Sequence, residues 1–139
     1  MENKANGVIQ RKLALLADQV ARLEAHLRGV SRDQFVNDWV LRSMAERALQ
    51  VAAELMIDIA ERVIALREAG PVATAGDAVK RLVDLKVLGS AEPYLSMVRF
   101  RNLLVHQYEE INPSILYDLA TGRLDDFRKF REEVDRAGV

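Results

Sequence analysis

The residues best suited to chemistry are concentrated in one decapeptide, RFRNLLVHQY, Arg99 to Tyr108. One of the chain's two histidines stands there, five residues after Arg101 and two before Tyr108. Histidine moves protons near neutral pH. Arginine stays charged and meets a phosphate with a two-pronged fork. Together they suit cleavage of a phosphodiester whose neighbouring 2′-hydroxyl is the nucleophile, which is the chemistry RNA offers. That route needs proton transfer and charge stabilisation, and it calls for no cofactor and no metal.

On a continuous helix each residue advances about 100°. Arg101 and Tyr108 then lie within about 20° of each other, and Asn102 stacks one turn before His106. Arg101 and His106 are about 140° apart, so they line two sides of a groove or need a second subunit. Acid-base cleavage of RNA benefits from two proton-transfer groups, and this segment has one histidine. A symmetric dimer would supply the second, and isologous pairing is the commonest assembly. Leu103, Leu104 and Val105 are expected to anchor the opposite face in the core. An R-x4-H spacing is common by chance, and by itself it more often marks solvated surface residues or bundle partners.

The 139 residues suit one domain, with roughly two-thirds of the unfolded surface buried on folding. The absence of cysteine excludes disulfides, thiol nucleophiles and thiolate metal sites, and is compatible with a cytoplasmic protein. No basic-then-apolar leader opens the chain, and the richest apolar run, VAAELMIDIA, is broken by Glu54 and Asp58. Neither a secretory signal nor a membrane span is expected. A formal net charge of -1 argues against coating nucleic acid by charge alone, though not against touching a few phosphates.

The elements that must position the decapeptide read as helices throughout. Apolar residues at Ile9, Leu13, Leu16, Val20, Leu23 and Leu27 predict a first helix from about Val8 to Leu27, stopped by Gly29. SRDQ, Ser31 to Gln34, has the form of a capping box. A very long helix is expected from about Arg32 to Glu68, ended by Gly70-Pro71, with Trp39, Met44, Ala48, Leu55, Met56, Ile59, Val63 and Ile64 on its apolar side. A short helix capped by Asp77 should run to Leu88. A fourth should start near Ser90 or Ala91 and contain the decapeptide. Asn112-Pro113 reads as a cap and first residue of a fifth, with Leu116, Leu119, Phe127, Phe130 and Val134 inward and Gly122 interrupting it. Short connections make neighbours antiparallel. The expected architecture is all-α, a four- to five-helix antiparallel bundle with one long central helix.

The polar stripe of the long helix, Ser43, Arg47, Gln50, Glu54, Asp58 and Glu61, reads as a solvated face. The sharper reading turns Glu54 or Asp58 toward Arg99 or Arg101 to fix an arginine fork. His26, near the end of the first helix, suits the helix dipole and carries no catalytic expectation.

RNLLVHQY resembles the R-x4-H-x-Y motif of HEPN-domain ribonuclease toxins of the HepT type. RALQVAAELMIDIAERVIA, Arg47 to Ala65, is similar to that family's long helix. VKRLVDLKVL, the motif, and YEEINPSILYDLATGRLDDFRKF follow in the family's order, so the resemblance spans about residues 8 to 135. It implies a single HEPN-like helical domain over 1–139 that forms a homodimer with the motif at the dimer cleft. It implies a metal-independent endoribonuclease acting on cellular RNA, tRNA or mRNA. Arg101 and His106 stand at the catalytic positions, Arg101 on the scissile phosphate and His106 in acid-base work. Asn102 supports the backbone or binds phosphate. Tyr108 stands at the family's acceptor for AMP, transferred by a partner antitoxin of the minimal nucleotidyltransferase type, in a complex that can be a larger hetero-oligomer. Arg99 departs from the small residue many relatives carry, and reads as an added phosphate contact or an exposed charge. The competing readings are a non-catalytic helical dimer that binds a nucleotidyltransferase or a nucleotide, and a chain whose main role is to be modified at Tyr108.

Overall fold

A computed structural model describes residues 4–106 and 111–138, with residues 4–6 and His106 described in their backbone alone. Among the described residues seven helices follow one another: α1 (Lys4–Leu27), α2 (Arg32–Val36), α3 (Trp39–Leu66), α4 (Ala75–Asp84), α5 (Tyr94–His106), α6 (Pro113–Gly122) and α7 (Leu124–Arg136). The all-α class and the long central helix stand as expected. The helix count is higher because two expected helices are each divided.

α1 buries Ile9, Leu13, Leu16, Val20, Leu23 and Leu27, spaced alternately three and four apart, so one stripe faces α3. α3 buries Ala45, Ala48, Ala52, Ala53 and Ala60 among Met56, Ile59 and Val63. The small residues let neighbouring helices approach while the large ones fill the space between. Removing a side chain such as Leu16 should cost about 3 kcal/mol through lost burial and the cavity left behind.

The expected helix from Arg32 to Glu68 is broken at Asn37-Asp38. Asn37 closes α2, its side-chain amide donating to the Asp33 carbonyl, and the Asp38 carboxylate accepts from Leu41 N–H to open α3. Two small polar residues that each hydrogen-bond the backbone compete with helix continuation without any Gly or Pro. Upstream, the capping box forms as expected: Gln34 N–H donates to Ser31 Oγ and Ser31 N–H to Gln34 Oε1. α3 also ends earlier than expected. Glu68 takes a left-handed conformation (φ 53°) so that its N–H reaches Ala65 O and the N–H of Ala69 reaches Ile64 O, a Schellman closure. Lys86 (φ 62°) closes α4 the same way, through Lys86 N–H to Val83 O and Val87 N–H to Leu82 O.

The cap of α4 is Thr74, whose Oγ1 accepts from Asp77 N–H, so Asp77 sits in the first turn rather than at the cap. Asn112 and Pro113 open α6 as expected, Asn112 Oδ1 accepting from Ser114 and Ile115 N–H. The expected fifth helix divides at Arg123 into α6 and α7. Leu116, Phe127, Phe130 and Val134 are buried as expected, and Leu119 partly so.

Directions follow from side-chain ties. Arg67, just past α3, donates to Ala137 O just past α7, so these two helices end together. Tyr94 at the start of α5 donates its hydroxyl to Glu133 near the end of α7. Phe127, Leu49, Ala53, Met97 and Phe100 meet at one level between them. α5 therefore runs antiparallel to α3, and its C-terminal end lies at the end of the bundle where α3 begins. Lys12 on Asp58 sets α1 antiparallel to α3 as well, which brings α2 and the start of α6 to that same end.

Candidate active site

Arg101, Asn102 and His106 all lie on α5, at the end shared with the first turns of α3 and α6. Arg101 is half-buried and Asn102 exposed. Arg101 Nε is enclosed with no hydrogen-bond partner, and Arg101 makes no ion pair among the described residues. An enclosed guanidinium N–H costs free energy until something accepts from it. The backbone of α5 stays helical through His106, which sets the Cα positions of Arg101 and His106 roughly 140° apart around the helix. The His106 side chain and all of Tyr108 lie outside the described residues.

Arg99 does not join them. It points back along α5, Nη2 donating to Glu92 Oε1 at 3.0 Å and to Ser96 Oγ at 2.9 Å. Glu92 Oε2 in turn accepts from Ser96 Oγ (2.7 Å) and Ser96 N–H (3.2 Å). This carboxylate satisfies a free N–H of the first turn of α5, and the Ser96 bonds, followed by Arg99, hold it below the usual carboxylate range. Arg99 is thus engaged at the N-terminal end of the motif helix. The sequence reading missed Glu92, although a Glu–Ser–Arg series at steps of four and three is the signature of one helix face.

The long-helix carboxylates take other partners too. Asp58 meets Lys12 at 2.5 Å and Arg62 at 3.6 Å, and Glu54 accepts from Gln50 at 3.0 Å. Neither forms the expected fork with Arg99 or Arg101. Lys12, 46 residues away in sequence and on another helix, left no local signal.

The apolar face of α5 also differs from expectation. Leu103 is 57% and Val105 48% exposed, so these residues do not anchor the motif in the core. They leave an apolar surface beside Arg101 instead. Trp39 on α3 (67%), expected on the apolar side of the long helix, and Ile115 on α6 (55%) lie exposed at the same end. Among the described residues, no helix is long and apolar enough to cross a membrane.

The antiparallel helical bundle carries Arg101 and His106 on one helix, beside an exposed apolar face, in keeping with the all-α class that the resemblance of the R-x4-H-x-Y motif implied. The chain belongs to the HepT-like ribonuclease family, whose model matches residues 16–134. It is similar to the mRNA nuclease HepT of Shewanella oneidensis, 27% identical over 127 residues that make up 90% of this chain and 94% of that one. It is also similar to the tRNA nuclease HepT of Aphanizomenon flos-aquae, 22% identical over 137 residues, 97% of this chain and 92% of that one. Among solved structures, the tri-AMPylated HEPN toxin of Shewanella oneidensis in complex with its MNT antitoxin superposes with a TM-score of 0.85 at 25% identity, over 97% of this chain and 99% of that one.

Proposed function

We propose that this protein is the toxin of a toxin–antitoxin pair, a metal-independent endoribonuclease that cleaves cellular RNA in the cytoplasm and is silenced by AMP transfer to Tyr108. The chain acts as one helical domain over 1–139, paired as a homodimer. The observation that carries the reading is the placement of Arg101 and Asn102 on the exposed end of α5, one turn from His106, with Leu103 and Val105 uncovered beside them.

In this reading Arg101 forks the scissile phosphate and offsets the charge that builds on it. His106 takes the proton from the 2′-hydroxyl, whose oxygen attacks phosphorus, and the 5′-oxygen leaves with a proton from the second histidine of the dimer. A 2′,3′-cyclic phosphate and a free 5′-hydroxyl result. Pairing through Leu103 and Val105 brings two copies of each group to one cleft, which answers the wide angle between Arg101 and His106. Asn102 supports the phosphate path. Arg99 enters it only by leaving Glu92.

Restraint is read from the motif's tyrosine. A nucleotidyltransferase antitoxin, carrying magnesium and ATP, lets the Tyr108 oxygen attack the α-phosphate, and pyrophosphate leaves. The added phosphates and nucleoside repel or occupy the RNA path two residues from His106. The resting form is then a hetero-oligomer of dimer and antitoxin.

The test is RNA cleavage by purified wild type against His106→Ala, with and without a chelator. A loss of roughly 10²–10⁴-fold in the variant, unchanged by chelator, is expected for an acid-base residue. Equal activity of both folded proteins would remove His106, and no cleavage by wild type would leave a non-catalytic dimer. Incubation with antitoxin and ATP should add AMP units to wild type and none to Tyr108→Phe, read by mass.

A further inference from the structure

We infer that the groove at the corner of α1, α2 and α3 holds a base of single-stranded RNA, stacked on Trp39, near the scissile phosphodiester. The inference rests on the ribonuclease reading above and adds a substrate subsite to it.

Trp39 is the only tryptophan of the chain, and its indole is 67% exposed. The aromatic rings of Phe35, Tyr94, Phe127 and Phe130 are buried and those of Phe100 and Tyr117 partly so, and among the described aromatic residues Trp39 is the exposed one. Trp39 lines a groove of about 580 Å³, within the range that holds small ligands. Arg28, Gln34, Asn37 and Asp38 line it too. Arg28 makes no ion pair among the described residues and lies exposed, suited to a phosphate. Gln34 spends its carbonyl oxygen on Ser31 N–H, which leaves its amide N–H groups to donate. Asn37 spends an amide N–H on Asp33 O, which leaves its carbonyl oxygen to accept. The one carboxylate of the groove, Asp38, is bound by Leu41 N–H. An aromatic face, a free donor, a free acceptor and a cation are the set by which proteins hold unpaired bases of RNA.

The groove is also in the right place. Leu49 and Phe100 lie at one level of antiparallel helices. From there Trp39 is ten residues along α3, about 15 Å, and His106 is six residues along α5 in the same direction, about 9 Å. The two differ by roughly 6 Å along the bundle and by an interhelical spacing of about 8–10 Å across it, a separation of about 10–12 Å that an extended strand spans in about two nucleotides. A base on Trp39 would lie within about two nucleotides of the phosphate on Arg101.

The sole tryptophan makes the test direct. Full-length His106→Ala protein is titrated with a short single-stranded RNA and, separately, with inorganic polyphosphate, while tryptophan emission is followed. Saturable quenching by RNA and none by polyphosphate is expected. In the active protein, Trp39→Ala should raise KM about tenfold with a smaller change in kcat, and Trp39→Phe should restore KM to within about threefold. If wild type cleaves RNA while emission is unmoved and Trp39→Ala keeps its KM, the subsite is wrong and the ribonuclease reading stands. If wild type cleaves nothing but RNA still quenches Trp39, the ribonuclease reading fails and the base site stands. Equal quenching by polyphosphate would reduce the groove to an anion site. Conversion of Trp39→Ala to a monomer in sedimentation would assign the face to a second copy, and either result overturns the proposal.

Discussion

Arg32 of α2 reaches Asp118 of α6 across 86 residues of sequence, Nη2 to Oδ1 at 2.6 Å. The same guanidinium donates to Ser114 O (3.0 Å) and Ser114 Oγ (2.7 Å) and lies 4.9 Å from the Tyr117 ring centroid. Tyr117 completes the tie by donating to Val30 O at 2.8 Å. One arginine fork thus pins the first turns of α6, which begins seven residues after His106.

Arg32→Ala should therefore loosen the start of α6 selectively. The pair is exposed, so global stability should change little. Amide exchange in Ser114 to Asp118 and in α2 should speed up, while α7 keeps its protection. Hydrogen exchange read by mass spectrometry checks this. Uniform acceleration along the whole chain would mean the contact supports the fold at large.

Tyr94 is buried, and its hydroxyl donates to Glu133 Oε2 while Gly89 N–H donates to Oε1. Burial first, and then the Glu133 carboxylate, push the phenol well above its ordinary value, so it remains a donor at any physiological pH. Its ring meets Phe130 edge to face at 5.4 Å. Tyr94→Phe keeps the ring contact and removes the bond to a charged acceptor. The expected loss is about 2 kcal/mol in urea unfolding, with an unchanged m-value. Glu133→Gln, which still accepts from Tyr94, should lose less.

Glu92 gives a pH signature. Its carboxyl is held below the usual range in the folded chain by Ser96 and Arg99. A depressed folded pKa stabilises above the unfolded value, about 4.3, and that stabilisation is lost as pH falls through the folded value. The Tm of wild type should exceed that of Glu92→Gln at pH 7, and the gap should close as pH drops below about 4. A gap that persists at pH 3 would mean the charge is not what matters.

What was legible in the sequence was what is local. The Ser31/Gln34 box, the Asn112-Pro113 start and the stripe of α1 each lie within a turn or two of one helix, and each formed as read. The break at Asn37-Asp38 was hidden because both residues also occur inside helices and only their hydrogen bonds to Asp33 O and Leu41 N–H end one and begin the next. The Arg32 and Lys12 ties join residues too distant in sequence for periodicity to register. Periodicity marked Trp39, Leu103 and Val105 as apolar but could not say whether an apolar face meets this chain's core or something outside it. Of the site, the motif fixed Arg101, Asn102 and His106 on one helix, while the partners of Arg99 depended on Glu92, two turns upstream.

Lys86 stands in a left-handed conformation at the end of α4, where glycine would carry no Cβ penalty. Lys86→Gly should stabilise the chain by roughly 0.5–1 kcal/mol, the glycine's own loss of freedom offsetting part of the relief. A lower denaturation midpoint would instead assign the lysine side chain a contact that matters more than its backbone.

The exposed apolar residues of α5 bear on activity through pairing. Leu103 is 57% exposed, so Leu103→Glu should fold with unchanged helix content. If that face closes the dimer on which the proposed cleft depends, a buried carboxylate there has no partner and opposes its mirror copy. The variant should sediment as a monomer, and its RNA cleavage should fall at least tenfold, recovering in part at high protein concentration. Leu15 on α1 is 49% exposed, and Leu15→Glu is the matched control: the same charge on a different helix, expected to leave both the dimer and cleavage unchanged. A monomeric Leu103→Glu with full activity would show that one copy of Arg101 and His106 is enough, and would move the second proton-transfer group to a residue of the same chain.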